Sequence, residues 1–392
     1  MKLSQRVQRI KPSPTLAVTA RAAELKAQGQ DIIGLGAGEP DFDTPDHIKD
    51  AAKKALDAGA TKYAPVPGTP GLKAAIVAKF ERDNGLHYSP DQILVSVGGK
   101  QSFYNLFQAL LDDGDEVVIP APYWVSYPPM VELAGGRPVV IDTTMDQGFK
   151  ITPEQLESAL GDKTRCVVLN SPSNPTGQAY SRQELIDLGD VLLTHPDVLV
   201  ATDDMYEHIL WAEGGFANIV NATPALFERS MVMNGVSKAY AMTGWRIGYA
   251  GGPADLIKAM GKIQSQSTSG ATTVSQEAAE AALNGDQGCV GEMVKAFKQR
   301  HDFVVAALND LPGVRCLESD GTFYAFPDFS EAIAASGAED DLAFSERLIE
   351  EAGVALVPGS AFGSPGYLRL SYATSMENLE KALDRIGKLL RG

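Results

Sequence analysis

From residue 93 onward, short runs that are apolar at nearly every position alternate with stretches of helical, amphipathic character. The runs are ILVSV (93–97), EVVIP (116–120), PVVID (138–142), CVVLN (166–170), VLVAT (198–202), MVMNG (231–235) and IGYAG (247–251). Helical stretches at 101–111, 153–160 and 182–193 lie between several of them. A strand apolar on both faces must be covered on both faces, so the pattern predicts a largely parallel sheet flanked by helices. After residue 253 the pattern changes. A long helical region at 253–309 leads to short strands near 314–316, 322–326, 354–357 and 367–371, with helices near 340–352 and 376–390. The expected fold is therefore α/β with a smaller α+β domain. Its expected division is an arm at 1–15, a small domain from 16–45 with 310–392, and a large domain at 46–309.

Ligands of open α/β sheets bind at the carboxyl ends of the strands. Unusual residues collect at those ends here. They are Gly98-Gly99-Lys100, Tyr123-Trp124, the segment 171–177, the segment 203–206, and Ser237-Lys238. Five strand ends thus direct polar or aromatic groups toward one edge.

Composition narrows the class of function. With 44% apolar and 21% charged residues the chain can bury a substantial core. The formal charge of −16 repels phosphate backbones and anionic lipid, which argues against nucleic-acid and membrane-surface partners. No run approaches the roughly 18 apolar residues of a membrane span. Three widely spaced cysteines, Cys166, Cys289 and Cys316, do not make a disulfide framework, and the expected location is cytoplasmic. Residues 1–23 carry Lys2, Arg6, Arg9, Lys11 and Arg21 and no acid, but also no continuous apolar stretch. They are read as an arm of the mature protein rather than a leader.

Several chemistries lack their motifs. There is no GxxxxGK[ST], no GxGxxG after the first strand and no HExxH, and GVSKA at 235–239 is not a serine-hydrolase elbow. The positive candidates each carry two readings. Lys238 is either a solvent lysine after a strand or a desolvated nucleophilic amine. Asp203 either caps a following helix or pairs with a cationic ring nitrogen. Asn174 sits in a turn-rich NPTG, and Trp124 is either core or a stacking platform. Arg369, inside the strand-like YLRLSY, calls for an anionic partner.

An ordered set of stretches settles on one family. LGAGEPDFDTP (35–45), KYAPVPG (62–68), VGGKQ (97–101), PYWVSYP (122–128), NSPSNPTG (170–177), DDMYEH (203–208), SKAYAMTGWRIGY (237–249) and RLSYATS (369–375) span nearly the whole chain. The sequence resembles the class I aminotransferases of pyridoxal-phosphate fold type I, most of all the bacterial aspartate aminotransferases of subgroup Ib. The resemblance implies a mostly parallel seven-stranded sheet, pyridoxal 5'-phosphate as cofactor, and a homodimer with shared active sites.

By that resemblance Lys238 is the Schiff-base lysine and proton shuttle, and Asp203 pairs with the pyridinium nitrogen. Tyr206 and Asn174 bond the cofactor's phenolic oxygen, and Trp124 stacks on its ring. Gly99, Lys100, Ser237 and Arg246 form the phosphate cup, with Tyr63 reaching in from a second subunit. Arg369 grips the substrate α-carboxylate with Gly38 beside it, while Trp124 and Asn174 also border the substrate. Lys100 reads a distal carboxylate, and Lys11 in the arm is tied to prephenate. The implied activity is amino-group exchange between L-aspartate and 2-oxoglutarate by a ping-pong mechanism, with prephenate as a second substrate. The implied partners are amino and 2-oxo acids and a second subunit, with no nucleic acid or membrane. The alternatives are a carbon–sulfur lyase or another amino acid's transaminase on the same fold, and a non-enzymatic regulator. The last would need a DNA-binding segment, for which a resemblance running from near residue 1 to near 390 leaves no room. Asp204 and Met205 depart from the family's usual Glu and Ile.

Overall fold

The computed structural model describes residues 1–12 and 14–392; Ser13 and the side chains of residues 14–16, at the end of the expected arm, lie outside the described residues. The strands in chain order are β1 (Ile33–Gly34), β2 (Ile93–Ser96), β3 (Glu116–Pro120), β4 (Arg137–Ile141), β5 (Thr164–Asn170), β6 (Leu199–Asp203), β7 (Ser230–Gly235), β8 (Gly248–Gly251), β9 (Tyr324–Ala325), β10 (Val354–Ala355), β11 (Val357–Pro358) and β12 (Leu368–Ser371). The seven apolar runs make one seven-stranded sheet in the order β2-β8-β7-β6-β5-β3-β4.

Alternate side chains of these strands enter two cores, one on each face. Val118, Val167, Val200 and Val232 pack on one side, and Val117, Val168, Ala201 and Met233 on the other. Most are wholly buried, each contributing about 1.5–3 kcal/mol as an upper estimate. The flanking helices start where local chemistry says they should. Ser181 and Glu184 form a reciprocal capping box on Arg182–Leu193, and Thr152 and Gln155 do the same on Pro153–Ala159.

Within this seven-stranded sheet only β8 runs against its neighbours, pairing antiparallel with both β2 and β7. The other six strands of this sheet therefore end on one edge, and β8 begins there. Its first residue, Gly248, lies opposite both Ser96 and Gly235, the ends of β2 and β7. This reversal brings Arg246 to the edge reached by the strand ends.

A separate core gathers Leu35, Phe297, Phe323, Tyr324, Leu368, Leu370 and residues of the carboxyl-terminal helix Met376–Arg391. Here the strands differ from the sequence expectation. The run at 354–357 splits: β10 pairs in parallel with β1, and β11 pairs antiparallel with β12. No strand forms at 314–316, where only Arg315 makes an isolated bridge, to Asp328. The Asn309 side chain accepts from the Cys316 N–H and donates to its carbonyl, at 2.9 and 3.0 Å, in place of a neighbouring strand. The helix Gly288–Asn309 joins the two bodies, sending Val290 into the first core and Met293, Phe297 and Val304 into the second. No helix among the described residues is long and apolar enough to cross a membrane.

Candidate active site

The shared sheet edge opens on a cavity of about 490 Å³. Gly38, Gly99, Lys100, Trp124, Asn174, Asp203, Tyr206, Ser237, Lys238, Arg246 and Arg369 all line it. Lys11 and Tyr63 are exposed and are not brought to it within one chain; Tyr63 is 98% exposed.

Asp203 ends β6 on the cavity floor. Its carboxylate accepts the Tyr127 hydroxyl at 2.5 Å and the Met205 N–H at 3.3 Å. Burial pushes its pKa up to about 6, against the pull of the Tyr127 bond, the Met205 amide and the nearby Lys238. Residues 204–208 form a turn rather than a helix, so the capping alternative falls away. What remains is a buried carboxylate, charged at neutral pH and suited to a cationic partner in the cavity.

Lys238 follows β7 by three residues, and its ammonium donates to the Gly38 carbonyl. The residue keeps some surface toward the cavity, but the amine sits between the rings of Tyr206 and Phe323, about 6 Å from each centroid. Loss of hydration, with Arg369 and Arg246 nearby, lowers its pKa to about 8; Glu39 and Asp203 act in the opposite sense. A solvent lysine would show no such shift. Roughly a tenth of the amine is neutral at pH 7, enough to make it a nucleophile and a proton carrier.

Arg369, on β12, is only 3% exposed. It donates to Asn174 Oδ1 at 2.9 Å and to the Gly36 carbonyl at 2.7 Å, while its Nε has no hydrogen-bond partner among the described residues. Asn174 is held in turn through its N–H on Asn170 Oδ1 at 2.8 Å, and Asn170 donates to the Asp203 carbonyl at 2.9 Å. A buried guanidinium with an unused donor beside a cavity is matched to a carboxylate.

The opposite wall suits a phosphate. The helix Gly99–Leu110 begins here, and its N-cap, Gly98, supplies no side chain to its first amides. Gly98 has φ of +78°, and a Cβ there would lie 2.3 Å from the Arg246 guanidinium, so only glycine lets that cation close over the helix end. Arg246 itself has φ of +56° and donates to the Thr243 carbonyl at 2.8 Å. Lys100 is exposed on this wall with its ammonium 5.2 Å from the Trp124 ring centroid. Partial loss of water and the neighbouring Arg246 both lower its pKa.

Sequence reasoning missed several residues of the site. Tyr127 lies within PYWVSYP but gains its meaning only from the contact with Asp203. Tyr324, whose hydroxyl is 2.9 Å from that of Tyr206, comes from a strand of the other body. Glu207 is bound by Lys79, by Asn84 at 2.7 Å and by Asn234 at 2.8 Å, which ties the Asp203–Tyr206 turn to the end of β7. No local pattern marks these three; each is recruited across more than 25 residues of chain.

Comparison with known proteins gives one answer. Residues 30–386 match the family model for aminotransferase class I and II. An aspartate/prephenate aminotransferase of Nitrosomonas europaea is 61% identical with all of both chains covered. The crystal structure of an aspartate aminotransferase from Rhizobium meliloti superposes with a TM-score of 0.96 at 48% identity, covering 100% of this chain and 99% of that one. Another, from Thermus thermophilus with maleate, gives 0.93 at 46% identity over 99% of this chain and 100% of the other.

Proposed function

This chain belongs to the class I and II aminotransferases, and from that membership we propose that it exchanges the amino group between L-aspartate and 2-oxoglutarate in a ping-pong reaction, using pyridoxal 5'-phosphate, and accepts prephenate as a second substrate. One observation carries the reading: a desolvated amine, a buried carboxylate and a buried arginine with a free donor open on one cavity. When bound, the cofactor supplies an aldehyde carbon for amine exchange and a ring that draws electrons from the substrate Cα.

The residues divide that work. Lys238 would hold the cofactor's aldehyde carbon through its amine, and when free its Nζ would take and return the Cα proton. Asp203, charged above about pH 6, holds a proton on the ring nitrogen, with Tyr127 fixing its orientation. Tyr206 and Asn174 hold the phenolic oxygen, Trp124 covers the ring, and Gly99, Lys100, Ser237 and Arg246 hold the phosphate. Arg369 binds the α-carboxylate beside Gly38. Lys100 reads the distal carboxylate; the maleate, a dicarboxylate, named with the Thermus thermophilus relative supports a substrate with two carboxylates. Tyr63, exposed in one chain, reaches the phosphate of a second subunit in a homodimer with shared sites. Lys11 serves prephenate when the arm closes. The division stays an arm at 1–15, a small domain of 16–45 with 310–392 and a large domain at 46–309, with Gly288–Asn309 packing into both cores.

The test is a half-reaction screen. The reconstituted protein is mixed with single amino acids, no acceptor being present, and its visible band is followed. Aspartate and glutamate should bleach it and release one equivalent of oxaloacetate or 2-oxoglutarate. Catalytic release of pyruvate and ammonia from a cysteine-type substrate would identify a carbon–sulfur lyase instead.

A further inference from the structure

Tyr324 is fully buried, lines the cavity and has no part in the division of work above. It stands on β9 opposite Ser371 of β12. Arg369, two residues before Ser371, shares that face of the sheet, so the register lays the guanidinium over the Tyr324 ring at 4.5 Å from its centroid. The Tyr324 hydroxyl lies 2.9 Å from that of Tyr206. It reaches this position only because residue 38 is glycine: a Cβ there would stand 2.9 Å from the Tyr324 oxygen. Three elements from two bodies thus converge on one hydroxyl pair.

A tyrosine hydroxyl has one proton to give and lone pairs with which to accept. If Tyr206 spends its proton on a ligand in the cavity, the proton in the Tyr206–Tyr324 bond must come from Tyr324. We propose that Tyr324 is a positioning residue which donates to Tyr206 and so strengthens the hydrogen bond that Tyr206 gives to the cofactor's phenolic oxygen. This rests on the reading of Tyr206 as that oxygen's donor. Successive donors polarise one another, and the Arg369 cation over the Tyr324 ring makes its hydroxyl a better donor. A strong donor at the phenolic oxygen competes with the proton which that oxygen shares with the Lys238 nitrogen. It therefore lowers the pH at which the bound chromophore loses its proton.

The experiment is a spectrophotometric pH titration of the reconstituted protein, with substrate absent. Tyr324→Phe keeps the ring under Arg369 and removes only the hydroxyl. Its midpoint should rise by about half to one pH unit, the size of one net hydrogen bond. Tyr206→Phe should raise it at least as far, and adding Tyr324→Phe to that variant should change nothing more. A Tyr324→Phe midpoint equal to wild type, with Tyr206→Phe still shifted, overturns the role of Tyr324 and leaves that of Tyr206 intact. An unshifted Tyr206→Phe overturns the reading of Tyr206, and this proposal with it. Equal, additive shifts would mean that Tyr324 acts on the chromophore without passing through Tyr206, which also overturns it.

Discussion

On the floor of the cavity, Asp203, Lys238 and Arg369 are held by named hydrogen bonds in surroundings dry enough to move the pKa of each toward its neutral form. On the rim, Lys100 and Arg246 are exposed cations facing a wall built from backbone N–H groups. The floor has lost water and kept its charges, which primes it for proton and electron movement. The rim keeps more of its water, although Lys100 has lost part of it, and it offers positive charge to an anion. A substitution on the floor should therefore stop the chemistry for every substrate, whereas one on the rim should discriminate between substrates.

Lys238→Ala tests the floor most severely. Loss of a positioned acid–base group alone costs about 10²–10⁴-fold, and the nucleophile goes with it. Turnover of aspartate and alanine should fall together beyond that range, while the phosphate wall still retains cofactor after gel filtration. Near-native turnover without added amine would remove Lys238 from the chemistry. Asp203→Ala should come next, slowing the single-turnover reaction by about 10²–10³-fold through loss of one oriented charge. A helix cap would instead have shown itself as about 0.5–2 kcal/mol of stability with chemistry intact, so melting temperature and single-turnover rate are to be measured on one sample.

The dry floor also predicts a pH signature in cofactor-free protein. The Lys238 pKa is about 8 folded against 10.5 in the unfolded chain. Between those values the unfolded chain binds more protons, so the stability of wild type relative to Lys238→Met rises with pH across that window and is flat below it. Lys238→Met should therefore be more stable at pH 7 by about 3 kcal/mol, the gap closing toward pH 10.5. Urea melts at both ends of the window check this, and a constant gap would mean the amine is still hydrated.

Lys100→Ala tests the rim and should have the smallest effect. Lys100 is exposed, so only the lower end of the about 2–5 kcal/mol typical of a buried charge pair applies, and kcat/KM for aspartate and glutamate should fall about 30-fold. Alanine and phenylalanine, with no distal carboxylate, should lose far less. Equal loss for all four would return Lys100 to the phosphate alone and erase the distinction between rim and floor.

The large sheet could be read from the chain because each strand is buried on both faces and carries its own signature. The Thr322–Phe326 expectation also located β9, though it shrank to two residues. The strand expected at 314–316 failed where the side chain of Asn309, seven residues earlier, met the N–H and carbonyl of Cys316. Within the site, residues standing at strand ends were found from their place in the sheet. Tyr127, Glu207 and Tyr324 were not, since their significance lies in contacts rather than in sequence position.

What the sequence determined by itself was thus the set of buried strands and the chemistry offered at their ends, because burial periodicity and residue type are local properties. Tertiary structure decided how that chemistry is tuned. The antiparallel turn of β8 delivers Arg246 to the edge, the register of β9 on β12 lays Arg369 over Tyr324, and the packing around Lys238 removes the water that would hold its pKa at the ordinary lysine value. Desolvation and the geometry of a hydrogen bond depend on atoms far apart in the chain, and they exist only once the chain has folded.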